Sequence, residues 1–114
     1  MRVRRAELAP IEFGGLAIYD YTPAGGKSSS LALIEVPAGA VHAKAWSRRS
    51  DKYYLVTRGS ISFTLDGADF TLEAGDFCLV EQGQRFAYRN ATPEPATLVL
   101  VHTPSFELDA EVFE

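Results

Sequence analysis

Cysteine, histidine, long apolar runs and helical periodicity are all scarce in this sequence, and each scarcity closes off a class of protein. Cys78 is the single cysteine, so no intrachain disulfide can form and a disulfide-stapled scaffold is excluded. No segment approaches the roughly 20 apolar residues needed to cross a bilayer. The start, Met1-Arg2-Val3-Arg4-Arg5, is basic but is not followed by an apolar run of signal-peptide length. These features predict a cytoplasmic protein with no membrane partner. The net charge of −4 speaks against nucleic acid as a partner, because non-specific binding rests on many Lys and Arg contacts to phosphate.

The charge is unevenly spread. Residues 41–60 hold Lys44, Arg48, Arg49, Lys52 and Arg58 against the single acid Asp51, a net of +4, whereas residues 61–83 hold Asp66, Asp69, Glu73, Asp76 and Glu81 and no base. Solvated charge on loops and strand edges accounts for this; a local positive field favouring an anionic small molecule is the sharper alternative. At 114 residues, a second core would leave too little for either, so residues 1–114 form one domain.

What the sequence has in quantity is short apolar or alternating runs separated by Gly, Pro, Asp and Asn. Strands are expected over residues 16–22, 31–36, 41–46, 53–57, 61–65, 70–72, 77–80, 85–89 and 97–103. Ile61, Phe63 and Leu65 alternate with Ser62 and Thr64, the period-2 pattern of a strand with one buried face. Asp66-Gly67 between alternating runs is a hairpin signal, because the turn needs positive φ. Turn residues recur about every 8–12 positions, the rhythm of an all-β sandwich or barrel. Gly25-Gly26-Lys27-Ser28-Ser29-Ser30 lacks the spacing of a phosphate loop and precedes no helical pattern; it is expected to be a flexible loop between strands.

The middle of the chain resembles the cupin superfamily. From Gly39, five residues lead to Ala45-Trp46-Ser47, four more to Lys52 and six more to Gly59. That is the frame of the family's first motif, Gly, five residues, His-x-His, three or four residues, Glu, six residues, Gly. The second motif runs Gly, five residues, Pro-x-Gly, two residues, His, three residues, Asn. It is matched by Gly75, Glu81-Gln82-Gly83, Phe86 and Asn90. The resemblance spans about residues 31–103 and implies a double-stranded β-helix, a jelly-roll barrel, with the N-terminal strand and the acidic C-terminal tail packed outside it or at a dimer interface. It also implies a homodimer.

In metal-binding members, the resemblance implies that ligands stand where this chain has Ala45, Ser47, Lys52 and Phe86. Ala and Phe offer no lone pair, and Ser is a poor ligand for a transition metal. Protonated Lys brings positive charge to the cation's place. No metal and no cofactor are therefore expected. The two histidines, His42 and His102, do not restore a site on this reading. Strict alternation from Ala45 and Ser47 turns His42 outward unless a bulge intervenes, and His102 lies in a nearly continuous apolar strand whose faces cannot be told apart.

With Lys52 inward, alternation brings Tyr54 with it; with Phe86 inward, Tyr88 follows. The expected ligand-binding set is Lys52, Tyr54, Ser47, Phe86, Tyr88 and His102, a pocket suited to a planar or apolar body with one anionic or carbonyl group. Buried Lys52 must be paired, hydrated or shifted toward neutrality; Asp51 or another carboxylate is the expected partner, with anion anchor and base as the functional alternatives. For Tyr54 and Tyr88 the commoner role is that of core aromatics with bonded hydroxyls, ahead of proton donor or ligand contact. Cys78, flanked by apolar residues, is expected to be an inert buried thiol.

Three functions fit. The first is a metal-independent barrel binding a small organic ligand, with an anionic one as a candidate. The second is a metal-independent isomerase, epimerase, lyase or cyclase using Lys and Tyr as acid and base, with His102 in reserve. The third is a non-catalytic sensor or assembly module with a filled core. A lumen of several hundred Å³ would favour the first two.

Overall fold

The computed structural model describes residues 1–22 and 28–114; Gly25-Gly26-Lys27 of the expected loop lies outside the described residues. Eleven strands are present among them. They are β1 (Ile11–Phe13), β2 (Leu16–Asp20), β3 (Ser30–Val36), β4 (Val41–Ser47), β5 (Asp51–Arg58), β6 (Ser60–Leu65), β7 (Ala68–Glu73), β8 (Phe77–Val80), β9 (Phe86–Arg89), β10 (Ala96–Thr103) and β11 (Glu111–Phe113). The only helical segments among the described residues are 3-10 turns at Arg5–Glu7 and Leu108–Ala110, and no helix is long and apolar enough to cross a membrane.

The strands form two antiparallel sheets, β1-β2-β3-β10-β5-β8 and β11-β4-β9-β6-β7, the expected jelly-roll barrel. Alternation decides which side chains fill it. Ile34, Leu98 and Val56 lie in register across β3, β10 and β5 and are buried to 3% exposure or less, while Leu55 and Phe77, also paired, face outward. The Asp66-Gly67 hairpin joins β6 to β7 with φ of 46° and 83°, as its two-residue turn requires. Gly59, the closing glycine of the first motif, sits at φ 76°, where an added Cβ would lie 2.8 Å from the Pro95 carbonyl oxygen and 2.9 Å from the Ala96 Cβ. Asn90 brackets the strand ends: its Nδ2 donates to the Val36 and Glu94 carbonyls, and its Oδ1 accepts from Thr92.

Both chain ends do more than cover the outside. β1 pairs with β2 at one edge, and β11 pairs with β4 at the edge of the other sheet. Together they carry Phe13, Glu111 and Phe113 over the barrel mouth, where these side chains line the lumen.

Candidate functional site: a barrel lumen with a paired lysine

A cavity of about 350 Å³ opens between the two sheets, within the range of small-molecule sites. Its walls are mainly apolar, with Ile11, Phe13, Ile18, Ile34, Leu100, Phe106, Leu108 and Phe113 contributing. Its polar lining is short: Asp20, Ser30, His42, Lys52, Tyr54, Tyr88, His102 and Glu111. A few polar groups in an apolar wall fix a ligand's orientation, because each unpaired contact in such surroundings is costly.

Register explains how these groups meet. Ser30, His102 and Lys52 are cross-strand partners on β3, β10 and β5, and one step along lie Ala32, Leu100 and Tyr54. On the opposite sheet His42 pairs with Tyr88, and Tyr88 with Phe63. Lys52 Nζ donates to His102 Nε2 at 2.8 Å and to Glu111 Oε1, and it lies 5.5 Å from the Phe86 ring centre. The side chains of Lys52 and Glu111 are 4% and 5% exposed, so this is a buried ion pair. Its carboxylate comes from the tail and not from Asp51, which instead accepts from the Gln82 backbone N–H.

The charge states follow from these contacts. Lysine has only donors, so His102 Nε2 is the acceptor and the proton of its neutral ring is on Nδ1. Burial, reinforced by the Lys52 charge, pushes His102 down to about 3. Burial also lowers Lys52, against the upward pull of the Glu111 carboxylate. Burial raises Tyr54 well above the usual phenol range and raises Tyr88 as well, so both hydroxyls keep their protons at neutral pH.

His42 corrects the expectation from alternation. Between His42 and Ala45, β4 advances three residues while β9 advances two, from Tyr88 to Phe86. The extra residue is a β-bulge, and it places His42 and Ala45 on the same inner face. The His42 ring stacks on Tyr88, with centres 5.0 Å apart and planes at 30°. Its Nδ1–H donates to the Ala43 carbonyl at 2.7 Å. A carbonyl can only accept, so the neutral ring's lone pair is on Nε2. Nε2 has no hydrogen-bond partner among the described residues, and burial, the largest influence, lowers the His42 pKa. The result is a neutral imidazole at a cavity wall.

Of the six side chains expected to bind a ligand, Lys52, Tyr54, Tyr88 and His102 line the cavity. Phe86 lies beneath it, packed against His42, Tyr54 and Phe63. Ser47 does not reach it. Ser47 is buried, but its Oγ accepts from the backbone N–H groups of Arg49 and Ser50 at 3.1 and 2.9 Å and so organises the turn after β4. His42 and Glu111 are the site residues that strand alternation missed. The tail's acidity and spaced apolar residues were the signal for Glu111, but nothing local showed that it turned inward. Cys78 is a buried core thiol whose pKa is raised by burial. Tyr88 Oη is buried without a hydrogen-bond partner among the described residues.

The positions at which the superfamily places metal ligands do not fit a metal here. Ala45 and Phe86 have no donor atom, Ser47 is occupied by the turn, and Lys52 brings an ammonium group. Among the described residues, no three His, Cys, Asp or Glu side chains are grouped so as to hold an ion. A larger and somewhat more open groove of about 540 Å³ runs past Ser62, Thr64, Asp69, Thr71 and Arg89.

No curated protein matches the sequence. Solved structures do match. The Streptomyces nucleoside dehydratase Pac13 aligns with a TM-score of 0.87 at 20% identity, covering 100% of this chain and 90% of Pac13. Variants of Pac13 with a substituted histidine or tyrosine have been solved with uridine. An uncharacterised Klebsiella pneumoniae protein with a double-stranded β-helix domain aligns with a TM-score of 0.79 at 18% identity, covering 98% of this chain and 95% of that one. An oxalate decarboxylase variant from Bacillus subtilis aligns at 0.81 and 22%, covering 96% of this chain and 31% of the decarboxylase. At such identities these likenesses establish the fold. The sequence itself carries the family: the model for the Cupin domain matches residues 32–102, more than half of the chain, and with that match the protein belongs to the cupin family.

Proposed function

We propose that the lumen binds a small, uncharged organic molecule without a metal and acts on it by acid–base chemistry, as a lyase or isomerase. The observation that carries this reading is the neutral His42 ring, whose Nε2 lone pair has no partner among the described residues, at the wall of a cavity shared with two protonated phenols. A neutral imidazole is a general base near neutral pH. It can remove a proton from a carbon made acidic by a neighbouring carbonyl. The C–H electron pair then forms a carbon–carbon double bond, and a leaving oxygen takes a proton from Tyr54. This replaces the assignment of base to Lys52 or His102, because each is occupied by the other.

The ligand's charge follows from the lining. Glu111 already neutralises Lys52, and Asp20 adds a carboxylate at the wall. An anionic ligand would face a net negative lining, so an uncharged one with carbonyl or hydroxyl oxygens is favoured over the anion the basic stretch suggested. Pac13 supports a nucleoside as a candidate, since its substituted residue types, histidine and tyrosine, are those that converge here. Binding of uridine and of neutral cyclic ketones, followed by NMR in D2O, tests the reading. Saturation transfer to bound probe is expected. Deuterium should enter beside the carbonyl of the bound ketones, and His42→Gln should cut that exchange at least 100-fold while binding persists. Exchange unaffected by His42→Gln would remove His42 as base, and absence of binding across the probes would favour a non-catalytic assembly role.

The outer face of the six-stranded sheet supports a homodimer. Leu31, Tyr53, Leu55 and Phe77 are 37–55% exposed there; Leu31 and Tyr53 are both register partners of Val101, and in the next row Leu55 pairs with Phe77. Light scattering at micromolar concentration should give twice the 12.5 kDa chain mass, and Leu55→Glu should halve it.

A further inference from the structure

The barrel interior contains a point at which two lone-pair donors converge. His102 Nε2 and Glu111 Oε1, from strands on different sheets, are aimed at the same small volume, and that volume holds the Lys52 ammonium. An imidazole nitrogen and a carboxylate oxygen are the donors a divalent ion such as Zn²⁺ takes. Here the centre of charge belongs to a side chain instead, and it is buried with them.

We propose that Lys52 is a built-in cation, a covalently tethered replacement for a metal ion, and that His102 and Glu111 form the ligand half of a metal site that Lys52 fills. The residues around it fit an ammonium group in detail. Two of its three N–H groups are taken by His102 and Glu111, and the Phe86 ring lies 5.5 Å away as an apolar floor. The remaining N–H is available to the cavity that Lys52 lines, where it can donate to an oxygen of the ligand. In the acid–base reading above, this makes Lys52 the group that polarises a carbonyl or steadies developing negative charge on its oxygen. That last role rests on the proposed function; the tethered-cation assignment does not.

A tethered ammonium differs from a metal in ways that can be measured. It is a single charge, it cannot be removed by a chelator, and it accepts no oxygen lone pair except through hydrogen bonds. Its removal should also leave behind a pair of donors with nothing between them, and such a pair should bind what it has been denied. Substitution of Glu at the same position adds a third donor from β5.

The test is metal binding by Lys52 variants, read without any substrate. Purified wild type, Lys52→Ala, Lys52→Glu and Lys52→Met are each titrated with Co²⁺ and Zn²⁺. Co²⁺ is followed by its visible absorption and Zn²⁺ by the thermal midpoint. Wild type should show neither signal. Lys52→Glu should bind one equivalent at least 100-fold more tightly than wild type, with Lys52→Ala between them. Lys52→Met, whose side chain refills the space without charge, should bind no better than wild type. Adding His102→Gln to Lys52→Glu should abolish the gain. If a variant is unfolded without metal, restoration of its near-ultraviolet circular dichroism by Zn²⁺ gives the same answer.

Equal binding by wild type and Lys52→Glu would overturn the proposal, as would failure of both Lys52→Ala and Lys52→Glu to bind or refold with metal. A second readout uses the wild type alone. The chain has three lysines, so a ¹⁵N-lysine spectrum is readily assigned. One slowly exchanging ammonium signal that disappears in Lys52→Met is expected, and its absence counts against a fixed cation. Neither measurement involves His42 or turnover, so either idea can fail while the other stands.

Discussion

Replacing Glu111 with Gln should damage this protein more than any other single change on its tail. The side chain keeps its size and the β11 backbone keeps its pairing with β4, so the change isolates the carboxylate. Lys52 and Glu111 are 4% and 5% exposed at their side chains, and removing one member of such a pair leaves the other charge buried. The expected cost is about 3–5 kcal/mol, a large part of the roughly 5–15 kcal/mol that holds a domain together. At about 4 °C per kcal/mol this is a fall of roughly 12–20 °C in thermal midpoint. The pH dependence has a definite sign. Burial already lowers Lys52, and Glu111 is what pulls it back up; without Glu111 the native lysine binds its proton more weakly still. The unfolded lysine keeps the ordinary value of 10.5. Between the depressed native value and 10.5 the unfolded chain therefore holds more protons, and stability of the variant rises with pH. Urea unfolding at pH 7 and pH 9, followed by the single tryptophan, Trp46, measures both effects. Lys52→Met combined with Glu111→Leu should recover most of the loss, since an apolar pair of similar volume replaces a desolvated ionic one. A Glu111→Gln loss below about 1 kcal/mol at both pH values would refute the reasoning, because it would mean water reaches the pair.

Three further outcomes are expected. Tyr88→Phe removes a buried hydroxyl that has no partner among the described residues; urea unfolding should show an unchanged or higher stability, by up to about 1 kcal/mol, while affinity for a bound probe falls about tenfold, and a clear loss of stability would show that the hydroxyl is bonded in the native state. Gly59→Ala must place a Cβ against Pro95 and Ala96 at φ 76°, at a cost of about 2–4 kcal/mol from backbone strain and overlap, whereas Gly67→Ala, whose Cβ meets nothing within 4 Å, bears only the strain. Acid should destabilise the protein through His102. Its native value of about 3 lies below the ordinary 6.5, so its contribution is complete above pH 6.5 and is lost as pH falls toward 3, at up to about 1.4 kcal/mol per pH unit; His102→Gln should flatten the curve relative to wild type over that window, and an identical slope would show that His102 does not titrate this way.

The fold was legible because its signals are local. Alternation in β6, the Asp66-Gly67 turn and the spaced glycines each act within a few residues, and their agreement fixes a barrel. The lumen set was legible where strands are regular: Lys52 and Tyr54 share a face because β5 keeps its register between them, its one irregularity lying further on between Val56 and Arg58, and Tyr88 follows Phe86 because β9 is regular there. His42 was misplaced because one extra residue in β4 reverses everything on its far side, and no residue between His42 and Ala45 announces a bulge. Ser47 faces inward as expected, yet two backbone donors at its own turn claim its hydroxyl before any ligand can. Such competition is decided by chain direction after Ser47, which alternation does not encode.

Glu111 shows why the tail belongs to the site and is more than cover for it. A lysine at position 52 reverses the sign of charge that the superfamily's carboxylate would bring to that wall. A lone ammonium there would be driven toward neutrality by burial, and among the described residues no other carboxylate pairs with it: Asp51 accepts from the Gln82 backbone instead. The carboxylate must arrive from elsewhere in the chain, and β11 delivers it by pairing with β4 at the barrel mouth. The same strand brings Phe113 to within 6.4 Å of the His42 ring centre. Charge balance at Lys52 and closure over His42 are thus two consequences of one edge pairing. A change that frees β11 without touching either residue, such as Val112→Pro, should therefore loosen the lysine and open the histidine to solvent together. If hydrogen exchange or chemical modification registered one of these effects without the other, the coupling would not exist.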